Sequence, residues 1–215
     1  MIDEIIKTND EHMIQKYLEE HPEILMASIG TANWAYNYVL PQFRFGDDGV
    51  ADFVVMTGQS DSYWIHIVEL KLPEDLQFNK DGSYRKPLNK ALSQVNLYRT
   101  WVEEHIDYFK ELLLKRIAEI DSGFKESFDY IRRFVMCVDI IIGRRENLSI
   151  ENRKITSSFY SNNASIISYD RLIETEKRLD EMLHHNVPFS LYGMDYFIAE
   201  KHDGLVLNNK IPDEV

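Results

Sequence analysis

The sequence predicts a mixed α/β fold, with helices covering both faces of a mixed central sheet. Three observations carry this reading. A helical pattern opens the chain between Asp10 and Glu20, three short β-like runs follow at close spacing, and a nearly continuous apolar run spans Phe134 to Ile142. The expected order is helix, three strands, helix, strand, strand, helix.

The first helix places Met13, Tyr17 and Leu18 on one side, with Ile14 widening the stripe. Asn9 or Asp10 can cap it. His21-Pro22 should end it, because the residue before a proline is pushed out of the helical region. Asn37 to Phe43, Ala51 to Met56 and Tyr63 to Leu72 are separated by Gly46-Asp47-Asp48-Gly49 and Gly58-Gln59-Ser60-Asp61-Ser62. Connections this short make an antiparallel meander. Leu72 to Pro87 is rich in Asp, Asn, Lys and Gly and reads as a loop. Leu88 to about Ile120 is helical, with a break expected near His105 to Asp107. Phe134 to Ile142 fits a central strand buried on both faces and ended by Gly143. Glu146 to Asn163 is polar and expected as loop, Ser165 to Ser168 as a short strand, and Tyr169 to Leu183 as a helix. Residues 1–185 thus read as one domain, and 186–215 as a C-terminal extension that caps the core or serves oligomerisation.

Composition narrows the class. The chain has 215 residues and a hydrophobic fraction of 44%, enough for a full core and too much for a disordered chain. No apolar run reaches the roughly 18 residues that a membrane helix needs. Met1 to Asp10 mixes acids with isoleucines, unlike a secretory signal or a basic transit peptide. Cys137 stands alone, which excludes an internal disulfide and a multi-cysteine zinc site. The expectation is a soluble, cytoplasmic protein with no membrane partner. The net charge of −12 argues against a nonspecific nucleic-acid coat, but not against a nuclease with a local basic patch.

The chemistry concentrates around the second and third strands. A hairpin turn centred near Ser60 sets Asp52 opposite Val68, with Glu69 one place away, and a small register change brings the two acids together. Strand alternation points Ile65, Ile67, Glu69 and Lys71 to one side, and Trp64, His66, Val68 and Leu70 to the other. Two carboxylates about 4 Å apart repel by roughly 4 kcal/mol at an effective dielectric of about 20. A divalent cation removes that penalty, and hard oxygen ligands select Mg²⁺ or Mn²⁺. Lys71 beside such an ion can orient or deprotonate the attacking water, or offset charge on a phosphate. A plain ion pair at a strand end is the alternative for Glu69 and Lys71. Gln94 and Tyr98 are four apart on the following helix and share a face with the small Ala91. Gln94 can bond a water or a phosphate, and Tyr98 can contact DNA or hold Lys71. The alternative there is an ordinary amphipathic helix.

Asp52, then Glu69-Leu70-Lys71, then Gln94-x3-Tyr98 resembles the PD-(D/E)xK nuclease superfamily, in the branch with a downstream Gln-x3-Tyr. More narrowly, the chain resembles the nuclease domain of the Shedu anti-phage defence family. Glu11-x3-Gln15-x2-Leu18 with His21-Pro22, Ala51-Asp52-Phe53, Ile141-Ile142-Gly143-Arg144 and Ser168-Tyr169-Asp170-Arg171-Leu172 extend the likeness over roughly Glu11 to Ile173. The resemblance implies a restriction-endonuclease-like core and Mg²⁺- or Mn²⁺-dependent cleavage of DNA. It implies that Asp52, Glu69 and the Leu70 carbonyl bind the metal, with Glu11 as a candidate further acid. Lys71 becomes the catalytic lysine, and Gln94, with Tyr98 as its helical partner, supports the site. It also implies a homo-oligomer, dimer or tetramer, and leaves room for a phage-encoded trigger. Ala51 departs from the proline of the superfamily name, and the large N-terminal region of longer members has no counterpart in this sequence.

Charge placement fits a DNA substrate. Phe78 to Arg99 carries Lys80, Arg85, Lys86, Lys90 and Arg99 against Asp81 alone. Ile131 to Lys154 carries six basic residues, Arg144 and Arg145 among them, against three acids. These segments flank the candidate site, and phosphate neutralisation by them would make binding salt-dependent. His184-His185 is a weak metal candidate, because adjacent helical residues diverge. His66 reads as a packed histidine and Cys137 as a small buried hydrophobe. Ser157, Ser158 and Ser161 lack a nucleophile elbow. Two further readings stay open: a catalytically silent module that binds DNA or a phage protein, and a purely structural assembly protein.

Overall fold

A computed structural model describes residues 1–30, 36–47, 49–59, 62–121, 133–159, 163–184, 189–191 and 194–196. Five strands form one mixed sheet in the order β1-β2-β3-β4-β5. They are β1 (Tyr36–Phe45), β2 (Gly49–Gln59), β3 (Ser62–Leu70), β4 (Arg133–Ile141) and β5 (Ala164–Ile167). The first three form the antiparallel meander, as expected. β4 lies parallel to β3 and β5 parallel to β4, which makes β4 the interior strand that its apolar run predicts.

Helices cover both faces. On one face α4 (Lys86–Glu104) and α5 (Ile106–Ile120) pack on Val54, Met56, Ile65, Ile67, Val138 and Ile140. The break between them falls at His105, inside the expected window. On the other face α1 (Ile2–Ile6), α2 (Glu11–Glu20), α3 (Pro22–Ile29) and α7 (Tyr169–His184) pack on Phe53, Val55, Val68, Leu70 and Ile141. Burying each such side chain contributes ~1.5–3 kcal/mol, so the two clusters together clamp the sheet.

Local signals explain the helix ends. Asp10 caps α2, its carboxylate accepting the amides of His12 and Met13. Pro22 ends α2 as expected and also starts α3, where its missing N–H costs nothing at the first helical position. The sequence reading overlooked α1 and α3, both short, and took Glu146 to Asn163 as loop. That stretch instead holds a 3₁₀ turn (Arg145–Asn147) and α6 (Ile150–Ser158), capped by Ser149 Oγ accepting the Asn152 amide. No residue of α6 is buried, so the apolar periodicity that reveals a helix is missing there. β6 (Phe189–Leu191) and β7 (Met194–Tyr196) pair antiparallel within the C-terminal extension. Most of that extension, His185 and residues 122–132 lie outside the described residues. Among the described residues no helix is long and apolar enough to cross a membrane.

One irregularity positions the site. Leu40 and Phe43 belong to the same cluster, as do Ala51 and Val54, although strict alternation would separate them. The slip falls at Gln42, whose φ is +48°, and the β1–β2 ladder passes from Pro41↔Phe53 to Phe43↔Ala51 without a Gln42–Asp52 pair. Asp52 therefore stands at a local twist of β2.

Candidate active site

The β2–β3 register pairs Phe53 with Val68, one place from the expected alignment, so Asp52 comes level with Glu69. The Asp52 carboxylate accepts the Leu70 amide at 2.7 Å, beyond the last ladder pair. Alternation holds along β3: Ile65 and Ile67 face α4, and Val68 and Leu70 face the α7 side. Glu69 and Lys71 follow Ile67 on the α4 side.

Glu69 is 2% exposed and Lys71 is 9% exposed. Lys71 Nζ donates to Glu69 Oε2 at 3.0 Å and to the Leu70 carbonyl at 2.6 Å. Glu69 Oε1 is buried and accepts nothing. Burial, then the Asp52 charge, pushes the Glu69 carboxyl up to about 7, with Lys71 acting against both. Burial also raises Asp52, opposed by the Leu70 amide and by Lys71.

The Lys71 backbone is fixed at both ends. Its N–H donates to the Ile141 carbonyl at 2.9 Å. Its carbonyl accepts the Tyr169 hydroxyl at 2.6 Å. Gly143, at φ +67°, lets β4 turn past the Asp75 carbonyl; a Cβ there would lie 2.6 Å from that oxygen. Gln77 Nε2 closes the same corner on the Ile142 carbonyl at 2.6 Å.

α4 supplies the facing wall. Tyr98 is buried, stacks on Phe45 and donates to the Val50 carbonyl at 3.0 Å. Its ring fits against Gly49, where a Cβ would meet Tyr98 Cε1 at 2.6 Å. Burial and the neighbouring Glu69 charge raise the Tyr98 hydroxyl to about 12, with Gln94 acting against them. Gln94 Oε1 is buried and accepts nothing. Gln94 and Tyr98 thus neighbour each other as their spacing suggests, but the buried Tyr98 hydroxyl is held by Val50 rather than by Lys71, and its burial takes it off a DNA-facing surface.

From the opposite wall α2 brings Glu11. Burial raises its carboxyl, and the charges of Lys71, Asp52, Asp75 and Lys90 all act on it. Glu11 and Lys90 therefore belong to the electrostatics of this site. Asp75 and Tyr169 are residues the sequence reading missed. Asp75 Oδ2 accepts the Leu72 amide at 3.2 Å. Tyr169 lies inside the Ser168-Tyr169-Asp170-Arg171-Leu172 signature, which flagged it without a role; nothing distinguished Asp75 from other loop acids.

The basic residues divide. Lys80, Lys86 and Lys90 are exposed, and Arg85 Nε donates to the Phe78 carbonyl at 3.1 Å. Arg144 is held by Asp170 at 3.0 and 3.1 Å, and Arg145 by Glu174 at 2.7 and 2.9 Å. His66 points away from Glu69, as alternation requires, and its Nδ1 meets Asp139 Oδ2 at 2.6 Å. Ser165 Oγ donates to the other Asp139 oxygen. Cys137 is a buried free thiol. The His184-His185 side chains lie outside the described residues.

The family model described as Shedu protein SduA, C-terminal, matches residues 8–173. The chain belongs to the Shedu family. The matched span of this Shedu chain runs from just before α2 into α7 and holds Glu11, Asp52, Glu69, Lys71, Gln94, Tyr98 and Tyr169. No curated protein matches the chain.

The fit to a metal rests on this donor set. Glu69 offers a buried oxygen without a partner, and burial together with the Asp52 charge already strains its ionised form. Among the described residues, no three of His, Cys, Asp and Glu gather into a set that could hold a metal ion. The ammonium of Lys71 stands on two of the expected ligand atoms instead, Glu69 Oε2 and the Leu70 carbonyl.

Proposed function

We propose that this Shedu chain is a divalent-metal-dependent DNA endonuclease with a PD-(D/E)xK core, acting in cytoplasmic anti-phage defence. One observation carries the reading. Asp52, Glu69 and Lys71 meet at adjacent strand ends, and Glu69 Oε1 is buried there without a partner. Nature rarely buries an unsatisfied carboxylate oxygen without a function. Family membership supports the defence role and implies a homo-oligomer and a phage-encoded trigger.

Asp52, Glu69 and the Leu70 carbonyl would hold Mg²⁺ or Mn²⁺, with Glu11 as a further acid. Once bound, such an ion neutralises phosphate charge and makes water acidic enough to serve as a nucleophile near neutral pH. The protein supplies the rest. Lys71 brings an ammonium group to the scissile phosphate, where it stabilises developing charge. Gln94 presents an amide able to donate to a phosphate oxygen or a water. Tyr98 holds β2 through the Val50 carbonyl and keeps the wall against Glu69 dry. Lys80, Lys86 and Lys90 are exposed and would track the DNA backbone, with Arg85 behind them.

The test incubates purified protein with supercoiled and linear DNA in Mg²⁺ or Mn²⁺, wild type beside Lys71→Ala. Cleavage by the wild type alone is expected; equal cleavage by both removes the catalytic assignment. The closed Glu69–Lys71 pair favours a second reading, a silent module that binds DNA or a phage protein. Mn²⁺ that raises the melting temperature of the wild type but not of Asp52→Ala/Glu69→Ala decides for the metal-dependent enzyme.

A further inference from the structure

We propose that Lys71 is also an internal latch: its ammonium occupies the cation position of the resting site and must be exchanged for a divalent ion before the site can act. This rests on the metal-dependent reading above. A lysine is almost never this buried without pairing, and Lys71 pairs with the two oxygens that a metal would need, Glu69 Oε2 at 3.0 Å and the Leu70 carbonyl at 2.6 Å. An ammonium has three donors and no acceptor. Two of those donors are therefore held by ligand atoms, and a divalent ion can take these atoms only if the ammonium leaves.

The surroundings make exchange feasible. One ammonium faces Glu69, Asp52 and Glu11, and the Asp75 charge also bears on Glu11. Glu69 Oε1 remains without a partner. A monovalent group thus compensates the acids incompletely, and a divalent ion compensates them better. The peptide of Lys71 does not have to move, because Ile141 and Tyr169 hold its N–H and carbonyl. Only the four-carbon stem rotates. The displaced ammonium is then free to meet an incoming phosphate, so metal entry and lysine deployment become one event. A defence nuclease gains from such coupling, since neither half of the catalytic pair is ready alone.

The experiment measures Mn²⁺ binding by calorimetry for the wild type, K71M and E69Q. It adds reductive methylation of wild-type lysines with and without Mn²⁺, read by mass spectrometry. The latch requires K71M to bind Mn²⁺ about tenfold or more tightly than the wild type, the scale of one lost charge-assisted contact. It also requires Lys71 to be protected from methylation without Mn²⁺ and labelled with it. E69Q should bind Mn²⁺ weakly. Equal or weaker binding by a folded K71M overturns the latch while leaving a metal-binding wild type intact. Failure of all three proteins to bind Mn²⁺ overturns both the latch and the metal-dependent reading. Should K71M not fold, labelling of the wild type decides: Lys71 equally reactive in both conditions overturns the latch.

Discussion

The carboxylate of Asp52 accepts the Leu70 amide at 2.7 Å, one step past the last backbone pair between β2 and β3. A side chain thus completes a ladder that the strands leave open, and it fixes the Glu69–Leu70 peptide beside the site. The same carboxylate raises the Glu69 carboxyl from next door. Asp52→Asn should therefore keep the fold, losing ~1–2 kcal/mol as a charge-assisted bond becomes neutral. It should also bring the Glu69 carboxyl below about 7. Chemical denaturation and a carbon-detected NMR titration of Glu69 check the two effects; an unmoved Glu69 would break the proposed electrostatic coupling.

The pH dependence has a definite sign. Glu69 takes up its proton more readily folded, at about 7, than at the ordinary value of 4.5. Its contribution to stability is full below the unfolded value and is lost as pH rises through the folded one. Metal-free wild type should thus weaken relative to Glu69→Gln between about pH 4.5 and 7, by on the order of a few kcal/mol. Divalent-ion affinity should climb over the same interval, because only the carboxylate binds the ion. Melting curves of both proteins across that range test this, and parallel curves would refute it.

Tyr169 is fully buried, and its hydroxyl holds the Lys71 carbonyl at 2.6 Å. Tyr169→Phe should cost ~1–2 kcal/mol, since it orphans a buried acceptor. If the Lys71 peptide is positioned by this bond, the loss appears in kcat with KM for DNA little changed. A variant that loses only stability would assign Tyr169 to the core alone.

Gly143→Ala combines a left-handed φ of +67° with a Cβ 2.6 Å from the Asp75 carbonyl oxygen. The neighbour is backbone and cannot swing aside. Destabilisation by ~2 kcal/mol or more is expected, measured as a fall in the urea midpoint. A neutral result would mean that the corner beside Lys71 is looser than its hydrogen bonds indicate.

Salt dependence of DNA binding separates the basic residues. Lys86→Ala and Lys90→Ala should each reduce the slope of log Kd against log salt by ~0.9, the value of one phosphate contact. Arg145→Ala should change it little, because its guanidinium is forked onto Glu174 at 2.7 and 2.9 Å. A large slope change for Arg145 would show that DNA displaces this pair.

Much of the site was legible in the sequence because short-range rules govern it. A two-residue period put Glu69 and Lys71 on one side of β3 and His66 on the other, and a four-residue helical step joined Gln94 to Tyr98. The meander followed from turn residues, and β4 from an uninterrupted apolar run. α6 escaped because no residue of it is buried, so no periodic stripe marks it. α1 and α3 escaped because five and eight residues are too few to display a period.

By itself, then, the sequence determined the five strands of the main sheet, the facing of β3 and the spacing of the acid, lysine and glutamine set, since each depends on neighbours a few positions apart. Only the tertiary structure decided the rest. The slip at Gln42 and the one-place register set Asp52 level with Glu69, and chain packing brought Glu11, Asp75 and Tyr169 in from distant segments. Asp170 and Glu174 claimed Arg144 and Arg145 by the same route. Burial, a property of the assembled fold, turned an ordinary glutamate into one that titrates at about 7.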